Sequence, residues 1–216
     1  MKEALRLNAL IFDLDGTLLD SMHAWQDQLH QFLLDQGITP PADLINITKT
    51  LGTAQAIAYV IDQFHLPLDP DEAYDTFLAK MGRRYAEDLA LKPYVQPFLD
   101  RAKEAGLALS IATATPQPLV QSALKRLALS AYFDHVLTVE EVGVGKHDPA
   151  IFLASAARLG HAPSQCAVFE DSLQALKTAR AAGFRTVAVD ESTALLEKDE
   201  ILQTAHRYIY SFAELL

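Results

Sequence analysis

Short apolar runs recur along most of the chain and are separated by amphipathic stretches. Several runs have the length of buried strands. They lie at residues 8–12, 108–113, 135–139, 166–170 and 186–189, and a late run at 207–210 predicts an edge strand. Helical patterns of about ten residues separate the later runs, at 95–106, 118–130 and 173–183. This alternation predicts an α/β fold in which helices sandwich a parallel sheet.

Residues 22–90 break this alternation, because they hold helical patterns and no strand. Turn signals, "TPP" and "LPLDP", separate three amphipathic stretches. We therefore expect a small helical domain at 18–92, inserted after the first strand, and an α/β core formed by 1–17 and 93–216. The hinges are predicted near Thr17–Asp20 and Leu91–Pro93.

Composition narrows the range of partners. Half of the 216 residues are apolar, so a large core can form, and the formal net charge of −10 disfavours nucleic acid and anionic membrane surfaces. The single cysteine, Cys166, excludes an internal disulfide. The N-terminal stretch is expected to lead into a strand rather than to form a signal peptide, and no window is apolar enough to span a membrane. We expect a cytoplasmic protein, monomeric or weakly dimeric, that binds a small molecule.

The stretch "LIFDLDGTLLDS" carries the first candidate chemistry. Asp13 and Asp15 are two residues apart at the end of a predicted strand, so both carboxylates point to the same side. Like charges at that distance are unfavourable unless a cation lies between them. The pattern predicts a carboxylate nucleophile beside a carboxylic acid, with Mg2+ relieving their repulsion. A solvated turn closed by Gly16 is the structural alternative.

Further motifs follow in order, and together with "DLDGTLLDS" they resemble those of the haloacid dehalogenase (HAD) superfamily, in the subfamily of phosphoglycolate phosphatase and β-phosphoglucomutase. The second motif is "IATATP" with Thr113, the lysine motif is "GVGKHDPAIF" with Lys146, and the acidic motif is "VFEDS" with Glu170 and Asp171. The resemblance covers essentially the whole chain. It implies a Rossmann-like core and an inserted α-helical cap domain.

The resemblance also implies roles for single residues. Asp13 is expected to attack phosphorus and Asp15 to act as the acid and base. Thr113 and Lys146 are expected to complete the catalytic set. The implied cofactor is Mg2+, with the metal-site residues Asp13, Asp15 (through its backbone carbonyl), Asp171 and, in support, Glu170. The residues expected to contact the substrate are Gly16, Thr17, Ala114, Thr115 and, from the cap, Trp25.

The leading interpretation is a Mg2+-dependent phosphatase that hydrolyses a small phosphorylated metabolite, such as a sugar phosphate, through an aspartyl-phosphate. The alternatives are a β-phosphoglucomutase-type mutase and a non-enzymatic binding protein with the same fold. The mutases have a histidine twelve residues after the nucleophile, where this chain has Trp25, and Gln55 stands near the place of their arginine. Whether His23, Gln55, Arg83 or Arg84 contacts the substrate is open from the sequence.

Overall fold

The computed structural model of the protein describes residues 7–48, 51 and 53–216, without the side chains of residues 45 and 46. The N-terminal residues 1–6, which we expected to lead into a strand rather than to form a signal peptide, lie outside this range. Among the described helices, none combines the length and the apolar character that a membrane span requires.

The core is a six-stranded parallel sheet in the order β3-β2-β1-β4-β5-β6. Its strands are β1 Ala9–Phe12, β2 Ala108–Thr113, β3 His135–Thr138, β4 Cys166–Glu170, β5 Arg185–Val189 and β6 Arg207–Ile209. β1 is buried throughout and pairs with β2 on one side and β4 on the other. The predicted α/β fold is confirmed, including the late edge strand, which pairs with β5.

Helices connect the strands and cover the sheet. They are α1 Met22–Asp35, α2 Leu44–Thr48, α3 Thr53–Gln63, α4 Pro70–Glu87, α5 Val95–Glu104, α6 Gln117–Arg126, α7 Val139–Val142, α8 Ala150–Arg158, α9 Leu173–Ala181 and α10 Lys198–Thr204. Short 3-10 turns lie at Pro163–Gln165, Ser192–Glu197 and Phe212–Leu215. Helices α5, α6, α8 and α9 each bury several apolar side chains in the clusters that also contain the strand residues, which is the favourable arrangement for a parallel sheet.

Helices α1–α4, which we call the insert helices, lie between β1 and α5. α4 begins with a strong cap, because the Asp69 side chain accepts the backbone N–H groups of Asp71 and Glu72 and Pro70 occupies the first turn. At its other end, Arg126 of α6 donates hydrogen bonds to the carbonyls of Tyr85 and Leu89. These contacts fix the C-terminal end of α4 against the core.

The chain enters and leaves the insert helices through two neighbouring segments. Leu19 forms an antiparallel bridge with Leu91. The Lys92 N–H donates to the Leu18 carbonyl, and the Asp20 N–H donates to the Ala90 carbonyl, both at 2.9 Å. The two connections therefore form a short hydrogen-bonded pair, which we call the paired connection.

Candidate active site

The carboxyl ends of three neighbouring strands meet at one edge of the sheet. Asp13 directly follows β1, and its N–H donates to the Phe169 carbonyl of β4 at 2.9 Å. Thr113 ends β2, while Glu170 ends β4 and is followed by Asp171. Because parallel strands end on the same side of a sheet, these four side chains border a common cleft.

Lys146 reaches this edge from the loop after α7. Its ammonium donates to Oδ1 of Asp13 and, at 2.6 Å, to Oε1 of Glu170. The other oxygen of Glu170 accepts the backbone N–H groups of Asp171 and Ser172, both at 3.1 Å. Glu170 therefore fixes both the lysine and the turn that carries Asp171.

Asp13, Glu170 and Asp171 form a buried acidic cluster whose carboxylate oxygens lie within 4.8 Å of one another. Lys146 is the one cationic side chain among the described residues that line the cleft. When the three carboxylates are ionised, the negative charge of the cluster exceeds the single positive charge that Lys146 supplies among the described lining residues. A divalent cation with oxygen ligands matches this deficit.

A second observation agrees with a hydrated cation at this place. The Ser172 hydroxyl is buried in the lining of the cleft, and it has no hydrogen-bond partner among the described residues. A buried hydroxyl without a partner is unfavourable, and a bound water can satisfy it. The donor set therefore fits a metal such as Mg2+.

The charges of the cluster shift its pKa values. Burial raises the pKa of Asp13 well above its usual range; Lys146 opposes this shift, while Glu170 and Asp171 add to it. Burial alone lowers the pKa of Lys146, but the charges and hydrogen bonds of Asp13 and Glu170 outweigh it and raise that pKa. The lysine therefore stays charged, and a further cation beside the cluster would lower the pKa of Asp13.

The Asp15 carboxylate is held by three hydroxyl groups. Its Oδ1 accepts hydrogen bonds from Ser21 and Tyr85, and its Oδ2 accepts one from Thr115. Thr115 is itself bound by Thr113, whose hydroxyl donates to the Thr115 hydroxyl at 2.9 Å and accepts its backbone N–H at 3.0 Å. Thr115 of the second motif therefore contacts Asp15 directly, and Thr113 holds Thr115 in place.

Tyr85 of α4 is a site residue that the sequence analysis missed. Its side chain is fully buried, and its hydroxyl lies 2.8 Å from Nε1 of Trp25. Burial raises the pKa of Tyr85 well above its usual value, and the adjacent Asp15 charge adds to the shift. Tyr85 is therefore a neutral phenol that can donate a hydrogen bond. Ser21 was also missed as a partner of Asp15, although it lies within the quoted first motif.

Gly16 and Thr17 lie behind the cleft rather than in its lining. Gly16 has φ +80°, and a Cβ built there would lie 2.8 Å from Oδ2 of Asp171 and 2.9 Å from Cγ of Met22. Only glycine fits this conformation and this close approach without strain. Thr17 is fully buried. Ala114 and Thr115, the other predicted substrate contacts of the core, do line the cleft.

The insert helices form the opposite wall of the cleft. The apolar part of this wall consists of Met22, Trp25, Leu29, Leu51, Ala56, Ile57 and Phe77, and two threonines, Thr48 and Thr53, add hydroxyls. The cleft holds about 790 Å³ of empty space, including its open mouth. Trp25, predicted as a substrate contact, lies in this wall and stacks on Phe77 with ring centroids 6.0 Å apart.

Four further candidates lie outside the lining of the cleft, namely His23, Gln55, Arg83 and Arg84. His23, Gln55 and Arg83 are exposed, and Arg84 forms an ion pair with Asp88 at 2.9 Å. Among the described residues, the insert wall therefore presents no cationic side chain to the cleft.

Comparison with known proteins gives a consistent result. The family model described as haloacid dehalogenase-like hydrolase matches residues 7–183. Fructose-1-phosphate phosphatase YqaB of Escherichia coli is 33% identical over 192 residues, which cover 85% of this chain and 97% of that protein. Phosphorylated carbohydrates phosphatase of Thermotoga maritima is 27% identical over 196 residues, which cover 88% and 91% of the two chains.

A solved structure is also similar over nearly the full length. The crystal structure of CbbY from Rhodobacter sphaeroides in complex with phosphate superposes with a TM-score of 0.83 at 25% identity. The match covers 97% of this chain and 96% of that one, so it includes the insert helices as well as the sheet.

Proposed function

The chain belongs to the haloacid dehalogenase-like hydrolases and is a phosphoric monoester hydrolase, and we propose that it acts on a small phosphorylated carbohydrate through an aspartyl-phosphate on Asp13. The observation that carries this proposal is the contact of the Asp13 carboxylate with the Lys146 ammonium inside a buried acidic cluster. Asp15, two residues on, lines the same cleft, which supports a role in proton transfer.

In the first step, a carboxylate oxygen of Asp13 forms a bond to phosphorus while the bond from phosphorus to the leaving oxygen breaks. Asp15 gives its proton to that leaving oxygen and becomes a carboxylate. In the second step, Asp15 takes a proton from water as the water oxygen attacks phosphorus, which releases phosphate and restores the Asp13 carboxylate. Protons and charges therefore balance over the cycle.

Lys146 and Thr113 bind the oxygens of the phosphoryl group in this proposal. Acid–base catalysis supplies about 100- to 10,000-fold, or roughly 3–5 kcal/mol, which is less than phosphatases need. Positioning and charge stabilisation must supply the rest. Mg2+ would be held by Asp13, Asp171 and the backbone carbonyl of Asp15, supported by Glu170, and when bound it would neutralise charge on the phosphoryl oxygens.

We further propose that residues 18–92 act as a cap on a core formed by 1–17 and 93–216. The insert wall faces the acidic cluster across the cleft, so a substrate between them is shielded from water. The insert wall is mostly apolar, and the Trp25 ring is part of its lining of the cleft. Aromatic rings of this kind pack against the C–H face of a sugar. This agrees with the carbohydrate phosphates named for the two relatives.

The geometry around Trp25 counts against a mutase. A mutase histidine in this position could accept and return a proton, whereas an indole N–H can only donate a hydrogen bond. That donor is already bound to Tyr85. His23 is exposed and lies outside the cleft, so it does not replace the missing base. A non-enzymatic role is also disfavoured, because every residue of the proposed mechanism is present.

The decisive experiment is a screen of phosphorylated sugars and other metabolites with Mg2+, applied to the wild type, Asp13→Asn and Asp20→Asn. Asp20 is the matched control, because it is an exposed aspartate of the same loop. We expect Asp13→Asn to lose phosphate release and Asp20→Asn to keep it. A fully active Asp13→Asn variant, or full activity in excess EDTA, would overturn the proposed mechanism. Efficient interconversion of glucose 1- and 6-phosphate would establish the mutase instead.

A further inference from the structure

The hydrogen bonds around Asp15 leave few places for its proton. A carboxylate oxygen has two lone pairs that can accept a hydrogen bond or a proton. Among the described residues, the hydroxyls of Ser21 and Tyr85 occupy both lone pairs of Oδ1, whereas Oδ2 accepts from Thr115 alone. Oδ2 therefore has one open position, and a proton carried by Asp15 belongs there.

The direction of the Tyr85 hydrogen bonds is fixed by the chemistry of the partners. The indole Nε1 of Trp25 lies 2.8 Å from the Tyr85 oxygen, and an indole N–H donates but cannot accept. The Tyr85 oxygen must therefore accept from Trp25. Its own proton is then directed to Oδ1 of Asp15. The result is a chain of two hydrogen bonds with a single direction of donation, from Trp25 to Tyr85 and from Tyr85 to Asp15.

The packing around Tyr85 holds this chain in place. Its side chain is fully buried, and its backbone carbonyl accepts a hydrogen bond at 3.0 Å from Arg126 of the core. The Trp25 ring stands edge-on to the Tyr85 ring, with centroids 6.1 Å apart. A group fixed at both its backbone and its hydroxyl can hold a neighbouring carboxyl in one rotation.

We propose that Tyr85 is a positioning residue for proton transfer by Asp15, and that Trp25 fixes the orientation of Tyr85. This inference rests on the proposed phosphatase function and adds residues of the insert helices to it. Tyr85 occupies one acceptor position of Oδ1, so that the proton stays on Oδ2. Without the Tyr85 hydroxyl, the proton has a second position and the carboxyl has more rotational freedom.

The test compares two substrates of nearly the same shape, phenyl phosphate and p-nitrophenyl phosphate. Phenolate is a poor leaving group that needs a proton, whereas p-nitrophenolate leaves readily without one. The value of kcat/KM reports the steps up to formation of the aspartyl-phosphate, in which Asp15 is the acid. We expect Tyr85→Phe to lower kcat/KM about 10- to 100-fold for phenyl phosphate, and only about threefold for p-nitrophenyl phosphate.

Two further variants control this comparison. Trp25→Phe keeps an aromatic ring against Phe77 but removes the indole donor, so we expect the same selective loss at a smaller size. Tyr74→Phe removes a hydroxyl of the same helix that donates to Glu140 at 3.3 Å, outside the cleft. It should leave both substrates unchanged. Equal losses on both substrates, or no loss, in Tyr85→Phe would refute the positioning role.

A measurement that does not depend on activity separates this inference from the proposed function. Trp25 is the single tryptophan of the chain, so its indole N–H gives one assignable NMR signal. In Tyr85→Phe that signal should shift and exchange faster with solvent, while in Tyr74→Phe it should not. An unchanged signal in a folded Tyr85→Phe variant refutes the chain of hydrogen bonds. A wild type that hydrolyses neither these esters nor any compound of the metabolite screen overturns the proposed phosphatase function, and the role of Tyr85 with it.

Discussion

Gly16 offers the sharpest test of the close packing behind the acidic cluster. A Gly16→Ala substitution places a Cβ 2.8 Å from Oδ2 of Asp171 and 2.9 Å from Cγ of Met22. It also puts alanine at φ +80°, a conformation that costs an L-residue about 1–2 kcal/mol. The steric overlap adds about 1–3 kcal/mol. The total loss in the free energy of unfolding is therefore about 2–5 kcal/mol.

Gly160→Ala is the matched control. Gly160 has φ +75°, nearly the same conformation, but a Cβ built there meets nothing within 4 Å. This variant should therefore lose only the conformational part, about 1–2 kcal/mol. The difference between the two losses in the free energy of unfolding measures the steric overlap of the added Cβ with Asp171 and Met22. For a chain of this length, it corresponds to a melting temperature lower by roughly 2–12 °C in Gly16→Ala than in Gly160→Ala.

Urea unfolding and Mg2+ activation together make the assay. If the added methyl group displaces Asp171, the Mg2+ concentration that gives half-maximal activity should rise about tenfold or more in Gly16→Ala, and it should stay unchanged in Gly160→Ala. Equal stability losses in the two variants, together with equal Mg2+ dependence, would show that Gly16 is needed only for its backbone conformation.

Three other predictions concern ionisable groups. Lys146→Met should abolish activity and lower the free energy of unfolding in urea by about 3–5 kcal/mol, because buried carboxylates lose their cation. Lys177→Met is the control, because it removes an exposed ion pair and should have little effect on either quantity. An active Lys146→Met enzyme would contradict the proposed role of Lys146. Partial burial raises the pKa of Asp190, but hydrogen bonds from Lys198 and Tyr208 outweigh it and lower that pKa. The ionised carboxylate therefore stabilises the fold above the unfolded pKa of about 3.9. The stability deficit of Asp190→Asn, measured by urea unfolding, should thus be present at pH 7 and disappear as the pH falls through the lowered pKa of the folded state. A deficit of the same size once Asp190 is protonated in the folded state would disprove this. Burial raises the pKa of Cys166 to about 11. A thiol reagent at pH 8 should therefore label Cys166 only after unfolding. Rapid labelling of the native protein would contradict this prediction.

The sequence could predict the residues that follow strands. Asp13, Thr113 and Asp171 each stand at the end of an apolar run, and parallel strands bring such ends together regardless of loop detail. For the same reason, the α/β fold and the position of the helical insertion follow from the alternation of patterns. Lys146 required the motif order as well, because a loop lysine alone is usually solvated.

The sequence could not predict partners that depend on packing between helices. Tyr85 is seventy residues from Asp15 in the chain, and its position results from how α4 rests on α6 and on Arg126. A tyrosine inside an amphipathic helix has no local signal that separates such a role from ordinary core packing. Ser21 lies in the first motif, but a serine beside a predicted hinge has no local signal that indicates a hydrogen bond to Asp15. The short helices α2 and α7 are too brief for a periodic pattern.

The paired connection has a consequence for exchange of the insert between relatives. The two connecting segments lie side by side and are joined by main-chain hydrogen bonds. We therefore expect that replacing all the residues between them leaves the register of the sheet unchanged. Such a chimaera could inherit a new preference for the leaving group while keeping the nucleophile. It would also lose Tyr85 and Trp25, and a graft that lacks equivalent donors would need a different way to orient Asp15. Selectivity and proton transfer are therefore expected to be inherited together in this scaffold.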